Sequence, residues 1–277
     1  MAELAKTVLD GIVAARRKRL EEARGRVSLA RLKPAAEART ERRDFVAALS
    51  GATLRVIAEL KKASPSRGLL RRDYCSREIA QAYEAAGAAA LSVLTEEDFF
   101  LGSLADLEEA RSAVRVPVLR KDFILDEYQV FESVAAGADA LLLIVAALTD
   151  QELVSLLQLS DRTGIAALVE VHTEEELGRA LAAGARIIGV NNRNLKTMEV
   201  SLDTSLRLKP MIPAHCLAVS ESGIKRAADF ERLAQAGYNA VLIGEQLMVA
   251  SDPGNELACL LESAGPLSVR PEPLRQS

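Results

Sequence analysis

The feature that most constrains the fold is a type of segment that recurs four times along the chain. Each copy reads as the end of an amphipathic helix, then a glycine, then a short apolar strand. The copies are EAAGAAALSVL, VAAGADALLLI, LAAGARIIGV and AQAGYNAVLIG, with glycines at Gly87, Gly137, Gly184 and Gly237. Glycine suits the left-handed conformation that closes a helix, and strands this apolar need cover on both faces. The repeat therefore predicts helices that alternate with buried parallel strands.

Four further apolar runs between these copies complete a set of eight strands. They are RVIAEL near residue 55, VPVLRK near 116, IAALVEV near 165 and HCLAVSE near 215. Helical stretches fill the gaps: REIAQAYEAAG, LADLEEARSAV, DEYQVFESVAAG, QELVSLLQLSDRTG, EEELGRALAAG and AADFERLAQAG. Eight such units predict an α/β fold, a closed (β/α)8 TIM barrel. An open doubly wound sheet is the alternative, but it usually has fewer units and no G-x-G-x-x-G follows the first strand.

The chain outside these units divides into two ends. Residues before about 50 contain the helical stretches GIVAARRKRLEEAR and RDFVAALSG, which predict a helical extension ahead of the first strand. The final segment, PLSVRPEPLRQS, predicts a disordered tail over residues 266–277. We therefore expect one barrel domain over residues 1–265, which includes the N-terminal helices within residues 1–50.

Composition narrows the class of protein. The chain has 277 residues and a net charge of -4, without long blocks of one sign, and only 4% of its residues are aromatic. These values argue against nucleic-acid and membrane partners. Three scattered cysteines fit neither a disulfide framework nor a zinc site, and they favour a reducing compartment. Without a signal peptide or a membrane-length apolar run, we expect a cytoplasmic protein, with a monomer as the working hypothesis.

Polar side chains gather where the predicted strands end. In such barrels chemistry sits at the carboxyl ends of the strands, and strand alternation sends Glu59 and Lys61 the same way, into the mouth. Each residue alone could be a solvated side chain or half of a surface ion pair. A purely structural barrel, however, has no reason to crowd one rim with charges that are costly to desolvate. We therefore predict an acid–base site from the strand-end residues Glu59, Lys61, Lys121, Glu170, Asn191, Arg193, Glu221 and Ser222.

Other reactive residue types are interpreted as structural. His172, just beyond Glu170, reads as a packed or exposed loop residue rather than a catalyst. His215 begins a strand, at the end of the barrel that usually serves stability. The cysteines are expected to contribute packing alone.

Two successive strand ends predict a phosphate site. SESGI follows the seventh strand and IGEQLM the eighth, where barrels commonly bind phosphate with backbone N–H groups. Gly223 and Gly244 would let a phosphate approach the main chain closely. Ser64 and Arg193 would add a hydroxyl group and a guanidinium group. The alternative is that both glycines serve only the turns.

Six segments in order resemble a known family. AELKKASPSRG, VLRKDFI, ALVEVHTEEEL, IIGVNNRNLKTMEV, SESGI and LIGEQLM look like the signature segments of indole-3-glycerol-phosphate synthase, from tryptophan biosynthesis. The resemblance implies a (β/α)8 barrel with N-terminal helices over its mouth and no metal or organic cofactor. It implies a phosphorylated small-molecule substrate, 1-(2-carboxyphenylamino)-1-deoxyribulose 5-phosphate. The family, a group of carboxy-lyases, closes the indole ring, then releases carbon dioxide and water.

The resemblance also implies catalytic roles. Lys121 would be the general acid in ring closure, and Glu170 the base in the later dehydration. Glu59 and Lys61 would organise the second acid–base step, with Lys61 also contacting the substrate carboxylate.

Binding roles follow from the same resemblance. Asn191 and Glu221 would orient substrate hydroxyls and catalytic side chains, and Phe123 would pack on the anthranilate ring. The phosphate would be held by Ser64, Arg193, Ser222, Gly223, Gly244 and the backbone of Glu245.

The chain departs from the family pattern at Ala63 and Glu245, where other members carry lysine and serine. The anion grip would then rest more on backbone N–H groups.

Two other functions are weighed. A sugar-phosphate isomerase, such as the preceding pathway enzyme, pairs a strand-one cysteine with a strand-six aspartate, whereas these strands end in Glu59-Leu60-Lys61 and Asn191. A non-catalytic barrel that binds a phosphorylated regulator would tolerate loss of Lys121 or Glu170.

Overall fold

Eight parallel strands form the centre of the molecule. The computed structural model describes residues 7–194, 197–265 and 267–269. The strands are β1 (Arg55–Leu60), β2 (Ala90–Leu94), β3 (Val118–Lys121), β4 (Ala140–Ile144), β5 (Ala166–Val171), β6 (Ile187–Asn191), β7 (Leu217–Glu221) and β8 (Ala240–Ile243). They close into a barrel in the order β1-β8-β7-β6-β5-β4-β3-β2. The predicted TIM barrel is confirmed, and the open sheet is wrong because β1 pairs with both β8 and β2.

Helices connect the strands as the alternating pattern predicts. They are α1 (Val8–Arg26), α2 (Leu29–Ala38), α3 (Phe45–Leu49), α4 (Ser76–Ala85), α5 (Leu104–Ala113), α6 (Glu127–Ala135), α7 (Asp150–Thr163), α8 (Glu174–Ala182), α9 (Asp203–Leu208), α10 (Ala227–Ala236), α11 (Glu245–Met248) and α12 (Pro253–Ala264). All four repeat glycines have positive φ, between 89° and 98°, which confirms their role in ending helices.

Four helices, α2, α9, α11 and α12, were not predicted from sequence periodicity, and α11 is a single turn of four residues. α2 carries Pro34 in its interior, a residue that ordinarily breaks a helix. α9 has only six residues, which is too short for a 3.6-residue period to stand out. α12 follows the last strand, and Asp252 caps its first turn by accepting a hydrogen bond from the backbone N–H of Asn255.

The strands divide the core into an inner and an outer layer because their side chains alternate. The inner layer includes Ile57, Leu119, Leu168 and Val219, all inaccessible to solvent. The outer layer packs against the helices and includes Val56, Leu91, Val118, Leu141, Val169, Ile188, Ala218 and Val241. One strand thus supplies both a helix-facing row and a row inside the barrel.

The N-terminal extension covers both ends of the barrel. Val8, Leu9 and Ile12 of α1 face the cavity at the carboxyl ends of the strands, where the resemblance places the extension. At the opposite end, Phe45 and Leu49 of α3 join the inner core and are 1% exposed.

Part of the predicted tail lies within the described residues. Leu267 and Val269 exchange backbone hydrogen bonds with the segment 52–54 ahead of β1. The rest of that tail, residue 266 and residues 270–277, lies outside the described part of the chain. Across the residues that are described, no helix is both long and apolar enough to cross a membrane.

Candidate active site

A cavity of about 930 Å³ opens at the carboxyl ends of the strands. All of the predicted site residues line it, from six strands and the loops that follow them. They are Glu59, Lys61, Ser64, Lys121, Phe123, Glu170, Asn191, Arg193, Glu221, Ser222, Gly223, Gly244 and Glu245. The closed ring therefore brings together the residues that strand-end reasoning picked out separately.

The ammonium group of Lys121 is the centre of this site. Its Nζ donates to Oε2 of Glu170 at 2.8 Å and to Oε2 of Glu221 at 2.6 Å. The two carboxylates belong to β5 and β7, while Lys121 ends β3. Glu170 and Glu221 are almost fully buried, at 3% and 1% exposure. Ion pairs so deeply desolvated interact much more strongly than surface pairs.

Burial and the neighbouring charges shift the pKa of each group. Burial disfavours the ammonium form, but Glu170 and Glu221 outweigh it and hold the pKa of Lys121 above its usual range. Burial also favours the neutral form of Glu170, yet the positive charge of Lys121 outweighs the effect of burial and lowers the pKa of Glu170 to about 2. For Glu221, burial dominates and raises the pKa to about 7. The site therefore holds one firmly ionised carboxylate and one that titrates near neutral pH.

A second ion pair lies across the mouth. Nζ of Lys61 donates to Oε1 of Glu59 at 2.8 Å, which confirms that the two residues face the same way. A Cβ atom at Gly244 would overlap this carboxylate. The lack of a side chain at Gly244 therefore makes room for Glu59, whereas the sequence suggested that it made room for phosphate.

Two residues that the sequence did not single out shape the Glu221 corner. A Cβ atom at Gly189, in β6, would overlap Oε1 of Glu221. Asn192 is 2% exposed, and its Nδ2 donates to the backbone carbonyls of Glu221 and Ser222 at 2.9 and 3.0 Å. The sequence offered two signals for these residues: a glycine inside a predicted strand, and an asparagine directly after the end of that strand.

The predicted phosphate end combines two residues of unusual backbone conformation with a buried hydroxyl group and two arginines. Ser222 and Gly223 both have positive φ, at 67° and 81°, a rare state for a serine. Within the described chain, the buried Oγ of Ser64 has no hydrogen-bond partner. The carboxylate of Glu245 lies 3.4 Å from Nη1 of Arg67 and 3.5 Å from Nη2 of Arg193. An acidic side chain thus holds two arginines at the mouth, and Arg67 was not predicted.

An apolar wall lies beside the Lys121 cluster. The ring of Phe123 is 6.4 Å from that of Phe100, centroid to centroid, with an interplanar angle of 38°. Phe100 was not predicted because it comes from the loop after β2, where no charged strand end drew attention. With Leu9 and Ile12 of α1, these rings form a surface suited to an aromatic substrate.

His172 lies closer to the acid–base cluster than its interpretation as a loop residue implied. Its Nε2 is 3.4 Å from Oε1 of Glu170, and its Nδ1 is 3.0 Å from Oε2 of Glu176. His215, in contrast, precedes β7 and lines a separate cavity at the other end of the barrel, consistent with its structural interpretation.

The fold and the site together define a class. The chain is a closed (β/α)8 barrel with a buried lysine between two carboxylates at the carboxyl ends of its strands, the face on which barrel enzymes carry their active sites.

Comparison with known proteins then identifies the family. The family profile described as indole-3-glycerol phosphate synthase matches residues 9–260. A protein of that name from a Polaromonas species is 50% identical over 257 residues, which cover 91% of this chain and 97% of the relative. Another, from Mycolicibacterium gilvum, is 49% identical over 269 residues and covers 97% and 98% of the two chains. The chain belongs to the indole-3-glycerol phosphate synthase family.

Solved structures agree on the fold. The 3-hexulose-6-phosphate synthase of Salmonella typhimurium superposes with a TM-score of 0.60 at 12% identity, covering 76% of this chain and 100% of the other. A mandelate oxidase variant gives 0.59 at 19% identity and covers 86% and 83%. At these identities the likeness concerns the barrel alone.

Proposed function

We propose that this enzyme converts 1-(2-carboxyphenylamino)-1-deoxyribulose 5-phosphate into indole-3-glycerol phosphate, by ring closure, decarboxylation and dehydration. The observation that carries the proposal is the Lys121 cluster, in which one ammonium group bridges two buried carboxylates beside an aromatic wall. Relatives named for this activity at about 50% identity support it. A cytoplasmic location, a monomeric state and independence of cofactors remain predictions.

Ring closure requires a cation at the substrate carbonyl. As the aromatic carbon attacks, negative charge develops on the carbonyl oxygen, and the ammonium group of Lys121 both stabilises and protonates it. Glu170 and Glu221 hold Nζ in place from two sides. Because Glu221 has a pKa near 7, it does not fully cancel the positive charge of Lys121 at neutral pH.

Dehydration requires a base and a second acid. Glu170 is ionised over the whole physiological pH range because its pKa is near 2. It can therefore accept a proton from carbon after Lys121 has given its own proton to the carbonyl oxygen. The Glu59–Lys61 pair, on the opposite wall, supplies the proton for the departing hydroxyl group. Lys61 also meets the substrate carboxylate until that group leaves as carbon dioxide.

The two ends of the substrate meet different walls. The anthranilate ring lies against Phe123, and the phosphate lies at the loops after β7 and β8. There the hydroxyl group of Ser64, the guanidinium group of Arg193 and backbone N–H groups around Gly223 serve as donors. Asn191 lines the same cavity as Glu170, and it orients that base and a substrate hydroxyl group.

The assay follows the product. Purified protein is mixed with the carboxyphenylamino-deoxyribulose phosphate, and indole fluorescence is recorded alongside release of carbon dioxide. With wild-type protein, we expect the two signals to rise at matched rates. The Glu170→Gln variant should produce the indole signal more slowly than the wild type does. Substrate that persists unchanged with wild-type protein would refute the proposed function.

A further inference from the structure

A buried carboxylate lies in the loop between β2 and α5, and no step of the proposed reaction uses it. Glu96 is 1% exposed, although it is not among the described residues that line the substrate cavity. Phe100, four residues later in the same loop, does line that cavity. A carboxylate is costly to bury, so its contacts should account for its presence.

Both oxygens of the Glu96 carboxylate accept hydrogen bonds from the backbone of its own loop. Oε1 accepts from the N–H of Asp98 at 3.1 Å. Oε2 accepts from the N–H groups of Phe99 and Phe100 at 2.8 and 3.0 Å. Three successive N–H groups that point at one anion form a compact nest, and hydrogen bonds to a charged acceptor are stronger than those between neutral groups. The carboxylate therefore fixes the backbone of residues 98–100.

The rest of the loop is closed tightly around this carboxylate. The backbone N–H of Gly102 donates to the carbonyl oxygen of Glu96 at 2.8 Å, and a Cβ atom at Gly102 would overlap the carbonyl oxygen of Leu94. Leu101 has a positive φ of 54°, which is uncommon for a residue with a side chain. Such a conformation persists only where the surrounding structure holds it. The shape of the loop thus depends on its hydrogen bonds.

Phe100 is held at both of its backbone polar groups. Its N–H donates to Glu96, and its carbonyl oxygen accepts from the backbone N–H of Ala63, in the hairpin after β1, at 3.1 Å. Its ring lies 6.4 Å from that of Phe123, centroid to centroid. The position of the Phe100 ring in the aromatic wall therefore depends on the backbone that Glu96 fixes.

We propose that Glu96 is a positioning residue, which acts through the backbone of its loop to place the Phe100 ring against the aromatic ring of the substrate. This inference rests on the proposed function, because that substrate supplies the aromatic ring. Glu96 touches no reacting atom. Its loss should therefore weaken binding of the ring more than it slows the chemistry.

Glu96→Gln is the sharpest substitution, because it keeps the size of the side chain and removes one acceptor. Glutamine has a single side-chain oxygen, so its amide nitrogen must face either the N–H of Asp98 or those of Phe99 and Phe100. At least one backbone donor then meets another donor, and the loop should shift. Glu96→Asp keeps two acceptor oxygens on a shorter side chain and should disturb the loop less. Glu108→Gln, at an exposed position on α5, is the charge-matched control.

Two ligands separate the aromatic wall from the rest of the site. Indole-3-glycerol phosphate carries a fused aromatic ring, whereas ribulose 5-phosphate is a sugar phosphate without one. The chain contains no tryptophan, so the fluorescence of the indole ligand reports its binding, and ribulose 5-phosphate is measured by displacing that ligand.

The expected pattern is a selective loss of affinity. In Glu96→Gln, the Kd of indole-3-glycerol phosphate should rise about tenfold, and that of ribulose 5-phosphate should change by less than about twofold. In Glu96→Asp, the Kd of the indole ligand should rise about threefold. Glu108→Gln should match wild type with both ligands.

A double variant tests whether Glu96 acts through Phe100. Phe100→Leu keeps an apolar side chain and removes the aromatic ring, so it should weaken indole-3-glycerol phosphate by a similar factor. Because both changes affect one contact, the double variant Glu96→Gln/Phe100→Leu should lose no more than about twofold beyond the larger single loss. Steady-state turnover should show the loss in Glu96→Gln as a rise in KM, with kcat within about threefold of wild type.

A purely structural role would give a different pattern, because a loosened fold would weaken both ligands alike. Equal losses for the two ligands, wild-type affinity in both Glu96 variants, or losses that multiply in the double variant would each overturn the proposal. Glu96→Asp decides the question by the same criteria if Glu96→Gln does not fold. Wild-type protein that forms no indole-3-glycerol phosphate from the substrate would instead refute the proposed function, so the two failures are distinguishable.

Discussion

The two ends of the barrel interior are built from the same strands and have opposite properties. At the amino ends, Phe45 and Leu49 of α3 seal an apolar layer that includes Leu119 and Leu168. Two residues farther along β3 and β5, the side chains are Lys121 and Glu170, ion-paired at 2.8 Å. The alternation of the strands places both layers inside the barrel.

This contrast separates stability from chemistry. The apolar layer contributes free energy of folding through burial and close packing. The charged layer, in which Lys121, Glu170 and Glu221 are desolvated together, costs folding free energy in return for shifted pKa values. Substitutions at the sealed end should therefore change stability and leave turnover alone, while substitutions at the charged end should do the reverse.

The largest effect on turnover is expected from Lys121→Ala. Loss of the cationic acid should lower kcat a hundredfold or more, which corresponds to about 3 kcal/mol of activation free energy. Steady-state turnover measures this, and Lys62→Ala, a neighbour of the rim that does not line the cavity, is the control. A loss of tenfold or less would mean that another group protonates the carbonyl.

Phe45→Ala tests the sealed end. Phe45 is 1% exposed, so its truncation should lower the free energy of unfolding by about 3 to 5 kcal/mol. Chemical denaturation measures the change, and kcat of the folded protein should stay within about twofold. Val46→Ala is the matched control, since Val46 is 45% exposed and should change stability by less than about 0.5 kcal/mol. If Phe45→Ala abolished turnover in folded protein, the two ends would not be independent.

Glu221→Gln should reveal the energetic cost of the charged end. The pKa of Glu221 is raised to about 7 in the folded state, against about 4.3 in an unfolded chain. At pH values between these two pKa values, Glu221 holds a proton in the folded state that it has lost in the unfolded chain. The contribution of Glu221 to stability therefore falls as the pH rises through this range.

The Glu221→Gln variant lacks this titrating group. Its gain in free energy of unfolding over wild type should therefore be larger at pH 8 than at pH 5, by roughly 1 to 3 kcal/mol. Thermal unfolding at the two pH values measures the difference, and Glu231→Gln, at an exposed position on α10, provides the baseline. Equal shifts at both pH values would contradict the raised pKa.

The smallest change in kinetic parameters is expected at the predicted phosphate site. Arg193→Ala should raise KM about tenfold and change kcat little, because the phosphate is remote from the reacting atoms. Glu245→Gln removes the carboxylate that faces Arg193 and should lower KM about threefold. Competition by inorganic phosphate provides an independent measure. An unchanged KM in Arg193→Ala would exclude that residue from the phosphate site.

Much of the architecture could be read from the sequence because strand and helix periods are local properties. Repeated glycines after amphipathic segments marked the helix ends, and alternation along each strand assigned inner and outer faces. The shared direction of Glu59 and Lys61 needed only their separation by two residues. For the same reason, strand-end residues such as Lys121 and Glu170 could be placed at the mouth without knowledge of their partners.

The tertiary structure decided which of these residues meet. Lys121 contacts Glu170 and Glu221 because strands β3, β5 and β7 face one another across a closed ring, and no sequence spacing encodes that register. The contact of His172 with Glu170 and that of Arg67 with Glu245 depend on loop paths set by helix packing. Local patterns thus determined the fold and the rim, while closure of the barrel determined the partners and, through burial, their pKa values.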